Sequence, residues 1–222
     1  MSKIILVVAA HTDDEAMGCG GTIARHIAEG DEVHLLFMTD GVGSREVLAE
    51  EVIDRSSAAQ QAAKILGVSS FTNLSFPDNR MDSVALLDIV KEVEVKISEI
   101  KPEIIYTHHI GDLNIDHQVT HKAVMTACRP QPGFSVKTIY AFEVLSSTEW
   151  QTSNSALFIP NVFIDITDYL PVKMDASKAY YNEMREVPHS RSLQHIELLA
   201  RHRGYTVGVH AAEAFMLVRE IK

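Results

Sequence analysis

The chain alternates short unbroken apolar runs with longer stretches in which apolar residues return every three or four positions. Ile4 to Ala10 (Ile-Ile-Leu-Val-Val-Ala-Ala) shows no polar alternation, the pattern of a strand buried on both faces of a sheet. Gly20 to Glu29 sets Ile23 and Ile27 against Arg25 and Glu29 and predicts a helix, with Gly30 placed to end it. Val33 to Met38 predicts a second buried strand, Thr39 to Arg45 a loop around Gly41 and Gly43, and Glu46 to Leu66 a long helix closed by Gly67. A strand near Phe71 to Leu74 and a turn from Phe76 to Arg80 precede an amphipathic helix from Val84 to Ile100, which Pro102 stops. Glu103 to Thr107 reads as a strand ending in His108-His109. The loop Gly111 to Ile115 then leads to a helix beginning near Asp116 or His117.

Lys137 to Leu145 and Asn161 to Ile166 alternate more and predict strands nearer an edge, and the last third reads as helical around Lys173 to Met184 and Arg191 to Arg203. Strand-helix alternation of this kind predicts an α/β fold, a mostly parallel sheet with helices on both faces. No repeat, low-complexity tract or linker divides the chain, so one domain spanning 1–222 is expected. The polar stretch Ser146 to Ser155 reads as a loop, an insertion or a lid.

Composition narrows the function classes. A length of 222 residues suffices to bury roughly 70% of the unfolded surface as one domain. The formal charge of −10 argues against a nucleic-acid partner, because phosphate binding needs a basic face. Cys19 and Cys128 lie in no zinc-type spacing and are expected to be buried thiols in a reducing compartment. The apolar start is too short for a signal peptide, and no apolar run reaches the ~20 residues of a membrane span. A cytoplasmic protein is expected.

The chemistry concentrates where the first strand ends. His11-Thr12-Asp13-Asp14-Glu15 follows it directly, and ligands of open α/β sheets bind outside the carboxyl ends of strands. Packing three carboxylates there is costly, since like charges raise one another's pKa values, and a divalent cation relieves that cost. Asp112-Leu113-Asn114-Ile115-Asp116-His117 follows another predicted strand. Side-by-side strands bring His117 toward His11 and Asp14, and two imidazoles with one carboxylate make a catalytic zinc set. Of the tandem Asp13-Asp14, one carboxylate can ligate while its neighbour moves a proton. Blander readings stand beside these. Asp116 alone is a helix N-cap, and His117 with His121 forms a helical pair that lacks the Glu of a zincin motif. Gly18-Cys19-Gly20-Gly21 is a poor dinucleotide fingerprint, because His11 to Met17 separate it from the strand. Its glycines instead favour close packing of a helix on the sheet.

These residues resemble the LmbE-like (PIG-L) family of zinc-dependent N-acetyl-sugar deacetylases. The family's Ala-His-Pro-Asp-Asp-Glu is similar to Ala10-His11-Thr12-Asp13-Asp14-Glu15, with Thr for Pro. Its His-x-Asp-His is similar to Asn114-Ile115-Asp116-His117, with Asn at the first His. Gly18 to Ala24, the Arg55-led helix (with Ala58 where a Glu is frequent), Phe76 to Arg80, Arg203-Gly204 and Ala212 to Phe215 extend the resemblance over nearly the whole chain. It implies a Rossmann-like fold, zinc held by His11, Asp14 and His117, and Asp13 as general base in the hydrolysis of an N-acetylated sugar conjugate. Asp116 and His210 are further expected catalytic residues. Arg55, Arg80, His108 and Asn114 are expected to bind substrate, with His109 and Arg191 as other candidate donors. Trp150 either stacks on a sugar face or packs its own loop. The implied partner is a small N-acetylated sugar, and a homo-oligomer is admitted. Iron(II) or cobalt suits the same ligands. Competing readings are a non-enzymatic nucleotide-binding module, an amidase of thiol-sugar conjugates and a metal-dependent phosphoesterase.

Overall fold

The computed structural model describes residues 2–39, 49–152 and 155–222, with the backbone only for 49–54. The loop expected up to Arg45, with Gly41 and Gly43, and the helix start expected at Glu46 lie outside the described residues. Strands β1 (Ile4–Ala9), β2 (Glu32–Thr39), β3 (Ser70–Phe76), β4 (Ile104–His108), β5 (Thr138–Phe142), β6 (Val162–Asp165) and β7 (Ala212–Glu220) form one sheet in the order β3-β2-β1-β4-β5-β7-β6. β1 to β5 run parallel, and β7 pairs antiparallel with both β5 and β6. The chain moves outward from β1 to β3, then returns to the other side of β1 to lay down β4. That reversal opens a crevice between the carboxyl ends of β1 and β4, whose register pairs Val8 with Thr107.

The six described helices are α1 (Asp14–Ala28), α2 (Ala49–Leu66), α3 (Leu86–Ile100), α4 (Ile115–Ala127), α5 (Leu170–Ala179) and α6 (Leu193–Tyr205). β1 shows why its run has no polar alternation: Ile5, Val7 and Ala9 pack into a core shared with α1, α2, α5 and α6. Leu6 and Val8 pack into the core under α3 and α4. Both faces are covered, so both sets of side chains are apolar. The glycines of α1 permit close approach to the sheet, as expected. A Cβ at Gly18 would lie 2.5 Å from the Phe142 ring, and one at Gly21 would lie 2.7 Å from Ile166. Cys19 and Cys128 are buried free thiols.

Two expectations need correcting. The first helix starts at Asp14 rather than Gly20, so the acidic cluster opens the helix instead of preceding it. The C-terminal segment after Arg203 ends in a nine-residue strand, β7, that the pattern reading did not predict. The stretch from 146 contains a short 3₁₀ turn at Thr148–Trp150 and is tied to the site by Ser147 and Thr148. Among the described residues no helix is long and apolar enough to cross a membrane.

Candidate active site

The turn between β1 and α1 is held in an uncommon backbone state. Asp13 has φ 115° and ψ −29°, on the positive-φ side that costs a residue with a Cβ. Its N–H donates to Glu15 Oε2 at 3.0 Å, and Tyr180 Oη donates to Glu15 Oε1 at 2.7 Å. Burial pushes the Glu15 carboxyl up to about 7, against the opposing pull of the Tyr180 hydrogen bond. Helix α1 is broken at Cys19 (φ −147°, ψ 20°), and a buried ion pair fills the break. Lys173 Nζ donates to the carbonyls of Ala16 (3.1 Å) and Met17 (2.6 Å) and to Glu213 Oε1 (2.6 Å). Glu213 in turn accepts the N–H groups of Gly21 (3.0 Å) and Thr22 (2.7 Å). One charge thus caps the end of the first half-helix and the other the start of the second.

Outside the ends of β1 and β4, His11 Nδ1, Asp14 Oδ2 and His117 Nε2 form a triangle with all three sides 3.3 Å. The remaining imidazole nitrogens face carboxylates. His11 Nε2 lies 3.1 Å from Asp78 Oδ1 and 3.2 Å from Asp116 Oδ2, and His117 Nδ1 lies 3.2 Å from Asp112 Oδ2. This network assigns the ring protons to those nitrogens. With no second proton on either ring, His11 Nδ1 and His117 Nε2 are bare acceptors pointing at each other and at a carboxylate, an arrangement that a cation between them relieves. Neighbouring ligand atoms around a tetrahedral ion with bonds of ~2.0–2.1 Å are about 3.3 Å apart. Among the described residues, Asp14 Oδ1 is also buried without a hydrogen-bond partner. The donor set therefore fits a zinc-type cation. Burial opposes charge on Asp14, but the imidazoles of His117 and His108 outweigh it and hold its carboxyl well below the usual range.

A cavity of about 260 Å³ opens beside this triangle, lined by His11, Asp13, Arg55, Glu183, Arg185, His189 and Arg191. Asp78, Asn79, Asn114, Ser146 and Trp150 complete its wall. Arg191 Nη1 donates to Asp13 Oδ2 at 3.0 Å, and Arg55 Nη2 lies 2.6 Å from Glu183 Oε1. Burial raises the Asp13 carboxyl to about 6, with Arg191 pulling the other way.

The structure thus brings His11, Asp13, Asp14, His117, Arg55, Asn114, Arg191 and Trp150 to one place, and sets others apart. Asp116 is fully buried and accepts the N–H groups of Asn79 (2.6 Å) and Met81 (3.0 Å) while facing His11, so it positions an imidazole rather than meeting the cavity. Nor is it the cap of α4, since Asn114 accepts its N–H. His108 is not a cavity donor either. It is buried, its Nε2 accepts the Ala10 N–H at 2.8 Å, and its ring stacks 3.9 Å from that of His117. Burial beside His117 lowers it to about 4, so it is neutral. His109 is buried against the Ala156 carbonyl, and His121 Nδ1 bonds the His108 carbonyl. Arg80 is exposed and His210 lines a separate groove with Thr167, Leu170 and Arg201; neither borders the cavity. Sequence reasoning missed Asp78, Asp112, Glu183, Arg185 and His189. Only Asp78 and Asp112 carried a signal, an acid within a turn that follows a strand.

Comparison with known proteins identifies the family. The family model described as PIG-L, GlcNAc-PI de-N-acetylase, matches residues 6–128, more than half of the chain, and the chain belongs to that family. It is 30% identical over 184 residues to a protein of Escherichia coli (strain K12) named uncharacterized deacetylase YaiS, covering 80% of this chain and 90% of that one. It is 26% identical over 237 residues to the diacetylchitobiose deacetylase of Thermococcus kodakarensis, covering 97% and 83%. GalB, the 4-carboxy-2-hydroxymuconate hydratase of Pseudomonas putida KT2440, superposes with a TM-score of 0.76 at 24% identity, covering 99% and 98% of the two chains. That last likeness is one of fold.

Proposed function

We propose that this chain is a zinc-dependent hydrolase that removes the N-acetyl group of an amino-sugar conjugate, releasing acetate and a free amine. The observation that carries the reading is the triangle of ligand atoms, 3.3 Å on a side, beside a cavity that the Asp13 carboxylate helps to line. Both sequence relatives described above are named as deacetylases. His11, Asp14 and His117 would hold the ion. When bound, zinc supplies a Lewis acid for the amide carbonyl and makes water acidic enough to attack near neutral pH.

The protein's own groups handle the protons. Asp13 takes one from the attacking water as its oxygen adds to the carbonyl carbon. The same carboxyl then returns that proton to the nitrogen as the C–N bond breaks. A carboxyl raised by burial to about 6 suits both steps, being mostly ionised at neutral pH yet able to carry a proton. Arg191 fixes the carboxylate's orientation through Oδ2. Asp78 and Asp116 fix the His11 ring, and Asp112 fixes that of His117. Arg55, Asn79 and Asn114 offer donors to sugar hydroxyls from the cavity wall.

Acetate release from a panel of N-acetylated sugars, before and after chelation and zinc add-back, tests the reading. Asp13→Asn is expected to lower kcat by about 10²–10⁴-fold while the metal content stays stoichiometric. Full turnover in chelated protein or in Asp13→Asn overturns it. So does water addition to an unsaturated acid without any acetate release, the kind of reaction for which GalB is named.

A further inference from the structure

Asp13 begins α1 but does not cap it. An aspartate at the N-cap ordinarily has an extended backbone and spends its carboxylate on N–H groups of the first turn. Here the backbone lies at φ 115° and ψ −29°, and the side chain makes no cap bond. Its Oδ2 accepts from Arg191 instead. Such a backbone costs about 1–3 kcal/mol in a residue with a Cβ and persists only where its surroundings hold it. The main chain is held through the Asp13 N–H, which donates to Glu15 Oε2 at 3.0 Å. A glutamate side chain is flexible, so that acceptor stays in place only if it is itself anchored. Tyr180 Oη, at the C-terminal end of α5, donates to Glu15 Oε1 at 2.7 Å and supplies the anchor. Lys173, from the same helix, grips the carbonyls of Ala16 and Met17 in the next turn of α1.

Glu15 and Tyr180 are 0% and 2% exposed, and neither lines the cavity. Burying a carboxylate is costly, and both oxygens of this one serve the turn that carries Asp13. We infer that Glu15 and Tyr180 are positioning residues for the reaction, locking the Asp13 main chain so that its carboxylate lines the cavity rather than capping its own helix. The inference rests on the reading of Asp13 as the base. Arg191 then fixes the carboxylate from the cavity side and Tyr180 fixes the backbone from the core side.

Acetate release from an N-acetylated sugar by zinc-loaded variants tests this. Tyr180→Phe keeps the ring, removes one hydroxyl and should lower kcat about tenfold with KM and zinc content unchanged. Glu15→Met, of similar volume, removes both bonds and should lower kcat about 100-fold. Glu15→Gln is the rescue: its amide oxygen accepts the Asp13 N–H while its NH2 donates to Tyr180 Oη, so kcat should stay within about threefold of native. The deciding comparison is made in the Asp13→Asn background. There Tyr180→Phe should change the residual rate by less than about twofold, because no base remains to be positioned. Equal losses in both backgrounds, a native kcat in Tyr180→Phe, or a loss in Glu15→Gln as deep as in Glu15→Met overturns the positioning role and leaves Asp13 standing as base. Native turnover in Asp13→Asn, or no acetate from any N-acetylated sugar with the native protein, overturns both.

Discussion

The loops that follow β1 and β4 and the segment between α5 and α6 both face the cavity, yet they handle charge in opposite ways. The first set buries its ionisable groups: Asp14, Asp112, Asp116 and His117 are each at most 1% exposed, and each is held by partners from other elements. The second buries one, Glu183, against Arg55, but presents Arg185 and His189 as exposed groups braced by its own backbone and Arg191 as a half-buried one held by Ser146 and Asp13. Buried charges demand defined partners, because an unpaired one costs several kcal/mol, so the strand-end loops can change little without losing the proposed metal set. Exposed groups carry no such penalty. On the proposed reading the reaction belongs to the buried half, and the exposed half is free to vary with the substrate.

Breaking the link between the two regions gives the largest expected effect. Lys173 and Glu213 come from the C-terminal third and cap the break in α1. Lys173→Met leaves the Glu213 carboxylate buried without its counter-ion and should destabilise the protein by about 3–5 kcal/mol. Denaturant melting checks this, and a loss under 1 kcal/mol would show that the pair does not support α1.

The buried half can be sharpened by removing the metal. In metal-free protein burial opposes protonation of His117, but Asp14 and Asp112 outweigh it and raise the imidazole to about 9. The folded chain then keeps a proton that an unfolded histidine releases near ~6.5. The associated stability is fully present below ~6.5 and disappears as pH climbs through the folded value. Chelated protein should lose up to roughly 3 kcal/mol across this window, while zinc-loaded protein, with its ligands already deprotonated, should not. Melting curves from pH 6 to 9 decide the matter, and a flat Tm in the chelated form would contradict this packing of carboxylates around the ring. The smallest effect is expected from Asp112→Asn, which keeps the shape but weakens the orienting bond to His117 Nδ1. Zinc affinity should fall about 10–100-fold, measured by competition with a chelator of known strength.

The core of the fold was legible because strands covered on both faces leave long apolar runs, as β1 and β2 do. β7 was not. Its first four residues are buried and the rest partly exposed, so Ala-Glu-Ala-Phe-Met-Leu-Val-Arg-Glu shows no clean period, and Glu213 sits inside a core where sequence patterns expect an apolar side chain. The start of α1 was obscured by its own chemistry, since an acidic cluster reads as a loop until the partners that neutralise it are known. His11, Asp13, Asp14 and His117 could be named because a strand end followed by acids and imidazoles is itself a chemical signal. Arg185 and Glu183 could not, as an isolated charge in a polar stretch looks the same whether it faces solvent or a cavity. His210 shows the converse error. The family resemblance points it toward the centre, whereas the entry into β7 carries it to the groove beside α5 and α6.

The φ of 115° at Asp13 has an evolutionary edge. The residue most at ease in that conformation is glycine, which has no carboxylate to offer. Folding robustness alone would favour glycine at this position, so an acid there fits the proposed role as base. A homologue with glycine at this one position, and everything else intact, would be the signature of a descendant that kept the scaffold and gave up the reaction.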